Sequence, residues 1–134
     1  AQGYQALRGM FGPQIAPDKD LAVVPSCVYT DPEIASVGLT AEEAKAQGLA
    51  VTTKKYLMTA NGRSVPTGQE RGFVKLVAQA DSGRLLGAQL MCARATDLIG
   101  EAALAVAQGL TLAQIAATIH PHPTFCEGFG EAAE

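Results

Sequence analysis

Both histidines of this chain, His120 and His122, fall in the segment His120-Pro121-His122-Pro123-Thr124, with Cys126 and Glu127 close behind. Four side chains able to carry a proton, a metal or a nucleophilic electron pair thus lie within eight residues of one another. Such groups are otherwise sparse in the chain. One chemistry is an acid/base pair, with His122 as the proton carrier and Glu127 as its orienting partner. A carboxylate bonded to one imidazole nitrogen fixes the tautomer and raises the basicity of the other nitrogen. A turn at Thr124 from extended chain into a helix would bring Glu127 back over His122.

A second chemistry is metal binding, with Cys126 as third ligand beside the two imidazoles. The flanking prolines favour a polyproline-like twist that separates the rings. No second cysteine or carboxylate stands at ligand spacing, whereas a zinc site normally needs three or four protein ligands. No metal is therefore expected. A third chemistry is a nucleophilic Cys126 near a helix N-terminus, activated by a histidine. Nothing in the sequence supplies an oxyanion hole or a third member. The alternative is purely structural: Glu127 closes a capping box with Thr124, and the histidines bond to nearby carbonyls. The residue pattern alone leaves these readings open.

The elements that must position this segment are legible from turn and cap residues. Residues 1–12 read as a short amphipathic helix ended by Gly12-Pro13, and residues 13–20 as a polar connector. Leu21 to Tyr29 is an apolar, β-branched run interrupted by Pro25, consistent with an edge strand. Ile34 to Leu39 reads as a second extended piece. Thr40-Ala41-Glu42-Glu43 is a capping box that opens a helix stopping at Gly48. Val51 to Met58 reads as a strand and residues 60–68 as a loop. Gly72 to Ala78 and Leu85 to Cys92, joined by Ala80-Asp81-Ser82-Gly83, read as a β-hairpin.

Thr96 to Gln108 then forms a helix with Gly109 as its C-cap, Thr111 caps a short one, and Thr124-Phe125-Cys126-Glu127 opens the last. Strands with short connections followed by helices predict an α+β fold, a mainly antiparallel β-sheet packed with helices. Leu98, Ile99, Ala102 and Val106 recur at helical spacing and read as core or interface. Gly128-Phe129-Gly130-Glu131-Ala132-Ala133 imitates a dinucleotide fingerprint, but no strand precedes it. Arg63 reads as a solvated loop charge.

Composition narrows the function classes. The 134 residues suit one domain, and 48% hydrophobic against 17% charged residues marks a folded chain. Ten basic and thirteen acidic residues leave a net charge of −3 without basic clusters, so a nucleic-acid partner is not expected. The uncharged stretch Ala102 to Ile119 contains Gln108, Thr111, Gln114 and Thr118 and is too polar to span a membrane. Three dispersed cysteines, Cys27, Cys92 and Cys126, argue against a disulfide framework and point to a reducing, cytoplasmic setting.

The segment Ile119-His120-Pro121-His122-Pro123-Thr124-Phe125-Cys126-Glu127 resembles the terminal active-site signature of flavin- and nicotinamide-dependent disulfide reductases, especially lipoamide dehydrogenases. The stretch from Pro25 to Thr40 is similar to the opening of that family's dimerisation domain. So are Gly72-Phe73-Val74-Lys75-Leu76, Leu86-Gly87-Ala88-Gln89 and Ala95 to Glu101. The resemblance covers residues 21–134, the C-terminal dimerisation domain, while residues 1–20 resemble the end of a preceding flavin-domain helix and its linker. Cys126 stands where serine is common, and Cys92 where glycine is common. Mercuric reductases resemble this domain but end in paired cysteines, and glutathione reductases usually lack the doubled His-Pro-His-Pro.

The resemblance implies a domain that pairs with a second copy of itself and delivers His122, polarised by Glu127, to the other subunit's active site. There it would exchange protons with dihydrolipoyl thiols. It further implies a cis peptide between His122 and Pro123, with that backbone facing the partner's flavin. FAD and NAD belong to the parent enzyme, and none is expected on this chain alone. Lipoyl-domain proteins of 2-oxo acid dehydrogenase complexes are implied partners. The chain carries no phosphate-binding loop after a strand and no Cys-x4-Cys pair, so it is expected to be inactive alone and part of a longer reductase. The alternatives are a related glutathione or mercuric reductase-like domain, or a non-catalytic homodimerisation module.

Overall fold

Alternation of apolar and polar residues gives the central strands of a sheet with one buried face. The computed structural model describes residues 2–15 and 21–134. Five strands form one sheet: β1 (Ser26–Val28), β2 (Glu33–Gly38), β3 (Val51–Leu57), β4 (Phe73–Gln79) and β5 (Leu85–Cys92). Their order is β1-β2-β5-β4-β3 and every neighbouring pair is antiparallel. The register aligns Ala35, Leu90, Val74 and Tyr56 in one cross-strand row and Val37, Ala88 and Leu76 in the next. These rows point to one face, because side chains alternate along each strand. All but the half-buried Tyr56 are at most 2% exposed.

Five helices accompany the sheet: α1 (Gln2–Phe11), α2 (Ala41–Ala46), α3 (Ala95–Gln108), α4 (Leu112–Ala116) and α5 (Glu127–Ala133). Helix α3 lies over β2 and β5, and α5 over β3 and β4. The buried stripe of α3 is Ala95, Ile99, Ala102 and Ala105, mostly alanine, which lets the helix approach the sheet closely. Its first turn is held by the sheet itself, since the Glu33 carboxylate on β2 accepts from the Thr96 amide at 2.9 Å and the Thr96 hydroxyl at 2.6 Å. In α5 the buried residues are Gly128, Phe129, Gly130, Ala132 and Ala133. A Cβ on Gly128 would stand 3.1 Å from Met58 Sδ and 3.4 Å from Tyr56 Cδ1, so glycine sets how near α5 can come. The false dinucleotide fingerprint is therefore a packing stripe.

The α+β architecture expected from the sequence is the one found. Capping boxes at Thr40 and Thr111 are complete, each hydroxyl accepting from the third amide of its helix while that residue's side chain reaches back. Gly109 ends α3 with φ 64°, as its cap position requires. Several boundaries differ. The first strand is only Ser26–Val28, because Pro25 lacks an amide for pairing and the residues before it form a turn. The loop after β3 contains two single 3-10 turns, Met58–Ala60 and Val65–Thr67. Of the connector at residues 13–20, positions 16–20 lie outside the described residues, as does Ala1.

The box expected at Thr124 is only half formed. Its amide donates to Glu127 Oε2 at 2.7 Å, but its hydroxyl donates to the Pro121 carbonyl at 2.6 Å. Helix α5 thus starts at Glu127, with Cys126 as an N-cap that makes no side-chain cap bond.

Phe129, 2% exposed, is the one large side chain that roots α5 in the core. Phe129→Ala is expected to cost about 3–5 kcal/mol by chemical denaturation. A loss below about 1 kcal/mol would mean that α5 is not anchored through this ring.

Candidate acid/base site

Proline at 121 and 123 keeps the chain extended through His122, so the segment between α4 and α5 crosses the surface as a strap. Within it the peptide between His122 and Pro123 is cis, as is that between Asp31 and Pro32. The His122 ring is 75% exposed, whereas the Glu127 side chain is 19% exposed. His122 Nδ1 lies 2.8 Å from Glu127 Oε1. A carboxylate can only accept, so Nδ1 carries the hydrogen, and in the neutral ring the lone pair is on Nε2. No protein partner meets Nε2 among the described residues. Exposed imidazole, fixed tautomer and open Nε2 are what a proton acceptor for an external molecule requires.

Glu127 is held from two sides. Oε1 takes His122 and Oε2 takes the Thr124 amide. Its carboxyl is held below the usual range, chiefly by the Thr124 amide, with His122 adding to the effect against an opposing contribution from burial. The position at the start of α5 also places the anion at the positive end of that helix.

Two neighbours fix the strap that were not anticipated. Asn61, 1% exposed, donates from Nδ2 to the Thr124 carbonyl at 3.0 Å. Its Oδ1 accepts from the Arg63 amide, the Ser64 amide and the Ser64 hydroxyl, tying the loop after β3 to the strap. Asn61 carried no sequence signal beyond a loop-forming Asn-Gly; its burial is a tertiary fact. Beside it, a Cβ on Gly62 would stand 3.3 Å from His122 Cε1, so the ring rests on this glycine.

The other candidates are placed apart. His120 turns inward to Glu101 of α3, with Nε2 2.8 Å from Oε1, so the two imidazoles do not converge. Among the described residues no group of three or more His, Cys, Asp or Glu side chains is placed to hold a metal ion. Cys126 is half-buried, and its sulfur lies 3.0 Å from Thr124 Oγ1 rather than against a histidine. Cys92 is fully buried and its thiol is pushed up to about 11, first by burial and then by Glu33, which suits a core side chain. Arg63 is exposed, as expected of a loop charge. No described helix is long and apolar enough to cross a membrane.

Residues 24–133 match the family model described as the pyridine nucleotide-disulphide oxidoreductase dimerisation domain. The chain belongs to this family. It is 47% identical to a dihydrolipoyl dehydrogenase of Halobacterium salinarum over 115 residues, 86% of this chain and 24% of that protein. It is 43% identical to dihydrolipoyl dehydrogenase 2 of Haloarcula marismortui over 133 residues, 99% of this chain and 28% of that protein. The chain thus spans about a quarter of the length of the curated relatives it matches. The crystal structure of LpdA from Mycobacterium tuberculosis superposes with a TM-score of 0.87 at 29% identity, covering 98% of this chain and 28% of that one. The flavoprotein disulfide reductase RclA from Escherichia coli shares the fold at 22% identity, with a TM-score of 0.84 over 96% of this chain and 29% of that one.

Two outcomes are expected of this geometry. Asn61→Ala, which frees the Thr124 carbonyl and unties the 61–64 turn, should lower stability by about 1–3 kcal/mol in denaturant titration; an unchanged midpoint would remove Asn61 from the account. Glu127, with its carboxyl lowered by folding, contributes stability that is present above the unfolded carboxyl pKa and lost as pH falls through the folded one. Glu127→Gln should therefore be less stable than the native chain at neutral pH, and the difference should shrink below about pH 4. A gap that stays constant to pH 2 contradicts that assignment.

Proposed function

We propose that this chain is the C-terminal dimerisation domain, residues 21–134, of a flavin-dependent dihydrolipoyl dehydrogenase, with His122 and Glu127 as its acid/base pair. The observation that carries the reading is the 2.8 Å bond from Nδ1 of an outward-facing imidazole to a carboxylate already fixed by a backbone amide. The two relatives given above, both dihydrolipoyl dehydrogenases, at 47% and 43% identity, support the substrate class. Residues 1–20 are read as the end of the preceding flavin domain and its linker.

In this reading two chains pair through the domain and each strap enters the other subunit's active site. The exposed apolar side chains of Leu104 (61%) and Ile119 (95%), the latter beside the strap, support a covering partner. Bound FAD and NAD carry the electrons of the reaction in such enzymes. Gly128 and Gly130, the glycines of the false fingerprint, face the core and His120 rather than an open loop. What the chain would offer a flavin held by the other subunit is the exposed His122-Pro123 segment. The work of its own residues is proton handling. Nε2 of His122 takes a proton from a dithiol, and the Glu127 carboxylate stabilises the imidazolium that results.

Because the carboxylate stays ionised well into the acidic range, it serves that role at neutral pH. The capping bond to Thr124 does not compete with it, as each oxygen has its own partner. Three free cysteines fit a reducing, cytoplasmic setting, and the lipoyl-bearing proteins of 2-oxo acid dehydrogenase complexes are the partners this reading requires.

The deciding variant is His122→Gln in the full-length enzyme that carries this domain. Dihydrolipoamide oxidation is expected to fall by about 100-fold or more, as for removal of a general acid/base. Turnover equal to that of the native enzyme would sink the assignment.

A further inference from the structure

His120 is left unused by the acid/base reading, yet it is the more elaborately held of the two histidines. Its side chain is 9% exposed, against 75% for His122 two residues later. Both ring nitrogens meet acceptors: Nδ1 is 3.1 Å from the Thr118 carbonyl and Nε2 is 2.8 Å from Glu101 Oε1. A carbonyl accepts only, so Nδ1 bears a hydrogen, and a carboxylate at Nε2 calls for a second one. The imidazolium is the form that satisfies both contacts.

The ring also lies against α5. A Cβ on Gly130 would stand 2.8 Å from Nδ1 and 3.0 Å from Cε1, closer than any side chain allows. Glu127 precedes Gly130 by three positions, so both occupy one face of the helix. His120, Glu127, Gly130, Glu131 and Glu134 line a single groove. The titratable groups around His120 are thus Glu101 from α3, Glu127 and Glu131 from α5, and Glu134 just past its end; no other basic side chain lines the groove, and Lys54 of β3 donates to the Glu134 carbonyl at 3.1 Å. The charge of His120 adds to the forces that keep the Glu127 carboxyl ionised, behind the Thr124 amide and His122.

We propose that His120, anchored by Glu101, is a positioning residue for His122 and Glu127, fixing the strap from which His122 projects and placing a cation behind the Glu127 carboxylate. The proposal rests on the acid/base reading of His122 and Glu127. It differs from a packing role in its electrostatic consequence. Protonating either member of the pair adds positive charge where one cation already sits; removing that cation eases protonation and moves the acidic limb of activity to higher pH.

The test is the pH profile of kcat/KM for dihydrolipoamide oxidation in the full-length enzyme, with H120Q, E101Q and H122Q measured side by side. H120Q should lower kcat/KM about tenfold and raise the acidic midpoint by about half a pH unit. E101Q leaves the ring in place but removes the anion that anchors it. It should lower kcat/KM by less than H120Q and move the midpoint from its native value, and it decides the question if H120Q does not fold. A lower Tm with an unmoved pH profile in both variants overturns the proposal and leaves His120 a packing residue. If H122Q retains native turnover, the acid/base reading falls and this proposal with it. If H122Q loses turnover while H120Q and E101Q keep the native profile, this proposal alone is lost.

Discussion

Everything at the site depends on one carboxylate with two different jobs for its two oxygens. Glu127 Oε2 ends the strap by taking the Thr124 amide, and Oε1 orients the imidazole that the strap exposes. A shorter acid would reach neither, and an amide would present a donor to one of the two hydrogens. Because Glu127 is the first residue of α5, its place is set by how that helix packs. Local chemistry is therefore tied to the sheet through a helix only seven residues long.

That tie is made by absence of side-chain bulk. Gly128 lets the helix rest on Met58, Tyr56 and Val74, and Gly130 leaves room for the His120 ring. Phe129, between them in sequence, fills the core. On α3 the same economy appears as Ala95, Ala102 and Ala105 against β2 and β5. Close backbone approach over a flat layer of Val, Leu and Ala gives dispersion contact without long flexible side chains, so the elements carrying Glu101 and Glu127 hold fixed positions.

Features written in neighbouring residues could be read from the sequence. The caps at Thr40 and Thr111, the Gly109 stop and the meeting of His122 with Glu127 all involve partners at most five positions apart, and the hairpin of β4 and β5 is announced by the turn between its strands. The Thr124 box was legible only by half, because the Pro121 carbonyl competes for its hydroxyl and wins. What sequence could not deliver lies far apart along the chain. Asn61 meets Thr124 across 63 positions and Glu101 meets His120 across 19, and neither pairing has a local pattern. Pro25 was visible, but its effect on strand length needed the register.

The strand order leaves β1 and β3 as the two outer members of the sheet, each with one row of backbone groups unpaired among the described residues. Such rows invite foreign strands and begin aggregates. Here β1 is three residues long and follows a proline, while β3 carries Lys54 and Lys55, the second over the Phe73 ring and beside Lys75 across the ladder. A stranger strand docking on β1 finds too few groups to pair. One docking on β3 meets concentrated positive charge. The fold thus keeps its edges unattractive to other chains, and association is steered away from sheet extension toward its side-chain surfaces.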